Sequence, residues 1–168
     1  MQIIDKKQSR VCDYKTVDGY RRLQERIERV PYRRKNVGGY CMTKQDIIAK
    51  INDYLYKATS NLSQWLETKL PKLTDMWWEQ CVLSVLNESQ LERVPETAQS
   101  LSSLDLAILL TVTDRNWYNL KDRFHLNAQD RKAITDIRPV RNNWAHCGSR
   151  LPGKEIIGND LEIIYKFF

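Results

Sequence analysis

Histidine is scarce here: His125 and His146 are the only two in 168 residues. The four cysteines stand apart at positions 12, 41, 81 and 147. None forms a CxxC pair and no Cys/His group has zinc-finger spacing, which argues against a zinc ribbon or finger. They read as reduced thiols, the pattern expected of a cytoplasmic protein. No apolar run approaches the ~20 residues of a membrane span, so a membrane partner is not expected. The opening Met1-Gln-Ile-Ile-Asp-Lys-Lys lacks an apolar h-region, so no secretory signal is expected either. Acidic residues are never clustered as a two-metal nuclease requires, and neither a metal nor a cofactor is expected. No stretch reads as a strand and no segment repeats.

What is present is an ordinary globular mixture, 42% hydrophobic and 29% charged. The length suits one domain with a real core plus an extension. The net charge of +6 is unevenly spread. Residues 1–42 hold 11 Lys/Arg against 5 Asp/Glu, and the rest of the chain is neutral. This asymmetry is an electrostatic argument for a polyanionic partner. We divide the chain there, into a basic N-terminal arm (1–42) and a helical bundle (43–168). Within the arm, Tyr20, Leu23, Ile27 and Val30 form a helical stripe, with Arg21, Arg22, Arg26 and Arg29 on the other face. Pro31 ends that short helix, and Arg33-Arg34-Lys35 and Gly38-Gly39 follow as a linker. These basic residues suit nucleic-acid phosphates. They suit a solvated helix face equally well.

Beyond the arm, Thr43 and Asp46 form an acidic variant of the capping box. From Ile47 to Leu70 apolar residues keep a helical rhythm until Pro71. Thr74-Asp75 starts a second helix through Trp77, Trp78, Cys81, Val82, Val85 and Leu86, with the Trp pair expected in the core. Residues 87–101 read as a polar connection broken by Pro95. Ser102 with Asp105 repeats the cap signature ahead of an apolar helix, which from Asp114 either continues or turns into another short helix to Phe124. Asn127 caps a last long helix with Ile134, Ile137, Val140 and Trp144 inward. Pro139 should kink it, and Gly148 should end it. A terminal helix is expected to start at Asn159-Asp160, its apolar end lying against a packed or partner-covered surface. The fold class is all-α: an antiparallel four-helix core over 43–70, 74–87, 102–124 and 128–147, with short extra helices and the basic extension.

The stretch that carries chemistry is Arg138-Pro-Val-Arg141-Asn142-Asn-Trp-Ala-His146. On a helix Arg138, Asn142 and His146 share a stripe, and Arg141 reaches the same side. His146 falls at the helix C-terminus, where the macrodipole favours its cation. Arginine can grip phosphate oxygens with two parallel hydrogen bonds. Imidazole can move a proton to or from a ribose hydroxyl near neutral pH. One histidine per chain is thin for acid–base work, so a symmetric dimer would make better sense of it. Spacing alone also allows a purely structural pair of helix-end hydrogen bonds. His125 has no such context.

Val140-Arg-Asn-Asn-Trp-Ala-His146 resembles the Arg-x4–6-His signature of HEPN domains. The form Arg-Asn-x-Trp-Ala-His is most similar to the branch fused to a PIN-type endonuclease in eukaryotic transcript surveillance, which has bacterial relatives in defence systems. Leu104-Asp-Leu-Ala-Ile-Leu-Leu110 and Asn116-Trp117 fit the same branch. The resemblance covers about 43–168. It implies a dimerising helical bundle whose two motifs face each other across a two-fold cleft. It also implies metal-independent endoribonuclease activity, with 2′-OH attack leaving a cyclic phosphate. Arg141 would bind the scissile phosphate, His146 would transfer protons and Asn142 would position them, with Arg138 as a further nucleic-acid contact. Two features depart from the pattern: Pro139, and the basic arm.

The expected function is therefore an endoribonuclease active as a homodimer, in the role of a toxin or a phage-defence or RNA-surveillance effector. The alternative is a non-catalytic dimerisation or interaction module of a larger assembly. A third reading is a basic nucleic-acid-binding domain that works through the arm. The partners expected are RNA, a second copy, and an antitoxin or larger defence complex.

Overall fold

A computed structural model describes residues 43–97, 100–147 and 151–167. The basic arm, with Arg21, Arg22, Arg26, Arg29, Arg33, Arg34 and Lys35, lies outside the described residues. So does Gly148.

The domain is all-α, and the described residues contain no strand. Helix α1 spans Lys44–Lys69. Its capping box forms as the sequence implies: the Thr43 hydroxyl accepts from the Asp46 amide (3.2 Å), and the Asp46 carboxylate accepts from the Thr43 amide (2.8 Å). The Thr43 hydroxyl also donates to the Asp46 carboxylate (2.8 Å), and this bond, followed by the one from the Thr43 amide, holds the exposed Asp46 carboxyl below its usual pKa. Ile51, Leu55, Ala58, Leu62, Leu66 and Leu70 make the buried stripe of this helix. A 3-10 turn at Leu70–Lys72, built around Pro71, closes it.

The second regular helix expected over 74–87 does not form. Residues 73–77 are mostly turn, Trp78–Val82 is a π-helical turn and Leu83–Val85 a 3-10 turn. Trp77, Trp78, Cys81, Val82, Val85 and Leu86 do keep helical spacing, yet the segment winds in π and 3-10 turns, with the Cys81 carbonyl bonded by the Asn116 side chain. Cys81, Val82 and Leu86 still pack inward. The two Trp rings meet edge to face at 5.5 Å and stay half-buried, outside the core proper. The polar connection contains a one-turn helix α2, Glu88–Leu91, capped by Asn87 and Gln90.

Helix α3, Leu106–Arg115, is the most apolar element, with Leu106, Ile108, Leu109, Leu110 and Val112 all buried. Its cap is Asp105 itself, whose carboxylate accepts from the Ile108 amide at 3.1 Å. Ser102 lies instead in a preceding 3-10 turn, Leu101–Ser103. Of the two alternatives for the stretch after Asp114, the structure takes the second: the chain breaks at Asn116, and a separate short helix α4 follows over Trp117–Phe124. His125 ends α4 in the left-handed region, at φ 57°. Glycine is the usual residue there, and histidine tolerates it better than most.

Helix α5, Ala128–Ala145, starts at the Asn127 capping box and runs on through Pro139. Helix α6 spans Lys154–Phe167 and so begins five residues before the expected cap at Asn159. It packs chiefly on α5 and also on α1. The core partners of α1, α3 and α5 therefore include α6, where the sequence suggested residues 74–87.

Asn116 ties the irregular segment to this core. Buried at 4% exposure, its amide donates to the carbonyls of Cys81 (2.7 Å) and Val112 (2.8 Å). Asn116→Ala should leave the Cys81 carbonyl unsatisfied and cost about 1–3 kcal/mol in urea unfolding. His125→Gly should remove the strain of a side chain in the left-handed region. It should stabilise by about 1 kcal/mol, read as a rise of a few degrees in Tm.

Candidate active site

The motif occupies the last turns of α5. Ile137, Val140 and Trp144 are buried and fix the rotation of the helix. The opposite side then carries Arg138, Asn142 and His146 outward, as the helical period requires. Trp144 is held most firmly. Its indole N–H donates to the Asp160 carboxylate of α6 at 2.7 Å. Asp160 is 4% exposed, and burial raises its pKa against the opposing effect of the Trp144 hydrogen bond.

Arg141 is half-buried, and its Nη1 donates to Asn142 Oδ1 at 3.2 Å. Its Nη2 lies 3.8 Å from Asp105. The same carboxylate pairs with Arg93. Asp105 thus caps α3 and holds a guanidinium on each side. Burial, and next the Arg93 charge, hold the Arg141 pKa below its ordinary value; a guanidinium nonetheless stays protonated at neutral pH. Arg138 is half-buried, with Nη1 3.5 Å from the Thr111 hydroxyl of α3.

His146 caps the C-terminus of α5 and is exposed. Its amide donates to the Asn142 carbonyl at 3.3 Å. Among the described residues no hydrogen bond joins its imidazole to Arg141 or Asn142. A single chain therefore brings Arg141 and Asn142 into contact and leaves His146 at the helix tip, a few residues on. Pro139 lacks the amide that would bond the Thr135 carbonyl, so that oxygen loses its usual partner within the helix.

Sequence reasoning saw Asp105 only as a cap and gave no role to Arg93. It took Asp160 for a helix start. The signal for Asp160 was available: Ile157, Asp160, Leu161 and Ile164 recur at helical spacing, and an acid inside an apolar stripe needs a buried partner.

Among the described residues no three His, Cys, Asp or Glu side chains are grouped as a metal site, and no helix is long and apolar enough to cross a membrane. Cys81 is buried, and that burial pushes its thiol pKa up, which disfavours the thiolate. A surface cleft of about 630 Å³ lies beside Cys81, Asn116 and Arg123 and contains no motif residue. We give it no role in the chemistry, because the reactive groups are elsewhere.

An all-α domain that presents an Arg-x4-His motif at the end of a packed helix is the class defined by this geometry. A family model described as Swt1-like HEPN matches residues 54–157, well over half of the chain. The chain belongs to that HEPN family, and the match includes α3, α4 and the whole motif. No curated protein and no solved structure gives a match.

The raised pKa of Asp160 means that its folded form holds a proton more tightly than its unfolded form. The stability it contributes is present at low pH and lost as pH rises through the folded value. Asp160→Asn keeps an acceptor for the indole and removes the charge. The Tm advantage of this variant over the parent should be greatest near neutral pH and should shrink as the pH falls toward 3.8, the ordinary aspartate value.

Proposed function

We propose that the domain is a metal-independent endoribonuclease of HEPN type whose active site forms between two copies of the chain. The observation that carries this reading is the motif: Arg141 faces Asn142 on the open side of α5 and His146 stands exposed beyond them, within a chain of the HEPN family. Arg141 grips the non-bridging oxygens of the scissile phosphate, and its charge counters the negative charge that grows in the transition state. The ribose 2′-oxygen attacks phosphorus as its proton departs, and the 5′-oxygen leaves and takes up a proton. The products are a 2′,3′-cyclic phosphate and a 5′-hydroxyl. His146, or its copy in the second chain, handles one of these protons. A two-fold arrangement supplies the second imidazole that one chain lacks. The biological setting that suits this activity is a toxin, a phage-defence effector or an RNA-surveillance factor, acting in the cytoplasm and restrained by an antitoxin or a larger complex.

The test is incubation of the purified protein with mixed RNA in EDTA, beside Arg141→Ala and His146→Ala. Each substitution should lower cleavage by about 10²-fold or more without lowering Tm, and the parent's products should end in cyclic phosphate. Metal-dependent cutting, or full activity in both variants, would overturn the proposal. A stable dimer that cuts nothing would favour a non-catalytic interaction module.

A further inference from the structure

Along α5, Arg131, Thr135, Arg138 and Asn142 recur at helical spacing and form one stripe with the motif. From Arg131 to Asn142 this stripe rises ~16 Å. Its N-terminal part is one wall of an open groove of about 460 Å³, closed on the other sides by α3 and the turn of α2. Three guanidinium side chains line the groove: Arg115, Arg131 and Arg138. Asp114 is the single carboxylate among the lining residues. It lies 3.5 Å from Arg131, with both side chains about half exposed, so the pair neutralises little in water. Gln90 and Thr111 supply uncharged hydrogen-bonding groups, joined to each other at 3.3 Å. Thr135, on α5 between Arg131 and Arg138, belongs to the same wall.

The end of the groove at Arg131 has an aromatic neighbour. The Arg131 guanidinium lies 5.7 Å from the centre of the Tyr118 ring and 5.5 Å from that of Trp117. Trp117 is buried, whereas Tyr118 is 69% exposed. An exposed ring beside a charged groove is what proteins use to hold single strands, with phosphates in the groove and a base stacked on the ring. A duplex has its bases already stacked and cannot use such a ring.

We infer that the Arg115–Arg131–Arg138 groove, with Tyr118 at its end, holds the single-stranded RNA on one side of the bond that is cut. This inference rests on the ribonuclease reading of the same helix. The strand's phosphates follow the α5 stripe from Arg131 past Arg138 to Arg141, and an unpaired base several positions from the scissile bond stacks on Tyr118. The motif cuts, and the groove selects single strands and sets their path.

The experiment measures binding apart from cutting. Full-length protein carrying His146→Ala is titrated in EDTA against a short labelled single-stranded RNA by fluorescence anisotropy over a range of salt. Adding Tyr118→Ala should weaken binding about tenfold. Adding Arg115→Ala with Arg138→Ala should weaken it further and flatten the salt dependence by ~1.4 in logarithmic slope, two phosphate contacts having gone. Lys57→Glu on α1 is the charge-changing control and should leave binding unchanged. RNA containing thiouridine should photo-crosslink to the tryptic peptide Asn116–Lys121. Folding of each variant is checked by its melting curve. Unchanged affinity and salt slope in the groove variants, with no crosslink on that peptide, would overturn the inference. So would a matched RNA duplex bound as tightly as the single strand. If groove binding is found but the parent never cuts RNA, the ribonuclease reading fails and the groove stands.

Discussion

The Trp144–Asp160 hydrogen bond is the constraint on which the rest of the site depends. It joins α5 to α6 inside the core, two residues before His146. With Ile137 and Val140 it fixes which side of α5 is buried, and thereby which side is offered to solvent. A carboxylate buried this way is costly unless it is bonded, and the indole N–H is its partner. The candidate surface is in this sense the complement of a packing decision: it is what the core of α5 leaves to solvent.

That division gives α5 two faces of different character. One face is apolar and continuous with α1, α3 and α6. The other carries Arg131, Thr135, Arg138, Asn142 and His146 in one stripe, with the Lys132–Asp136 ion pair beside it. Helix α3 contributes to both. Its buried leucines fill the core, while its Asp105 cap steadies Arg141 and its Thr111 meets Arg138. Local capping chemistry and the electrostatics of the site thus share one side chain.

Much of the fold was legible because it is written in local signals. The Thr43 and Asn127 capping boxes, the α1 stripe and the inward Ile137, Val140 and Trp144 appear as the periodicity implies, whereas Ile134, also expected inward, is only half-buried and lines the groove. The failures have physical causes. Residues 74–87 have the apolar spacing of a helix but wind in π and 3-10 turns, and the Asn116 bond to the Cys81 carbonyl is a tertiary contact that periodicity does not reveal. Asn159-Asp160 looks like a cap because those residue types favour caps; the burial of Asp160 is decided by a tryptophan distant in sequence. In the site, Arg141, Asn142, Arg138 and His146 were legible as a cluster on one helix. Arg93, Asp105 and the groove were not, since they arise where α5 meets other elements.

Asp105 has one more consequence. Arg141 comes with an internal counter-ion, so its charge is partly spoken for before any ligand arrives. A small monoanion such as chloride would merely compete with a carboxylate already in place and gain little. A polymer that brings many phosphates at once can win that competition, because its other contacts keep it at hand while Arg141 changes partner. On the proposed reading, the shared carboxylate would act as a threshold, leaving the arginine responsive to long polyanions and comparatively indifferent to simple salts.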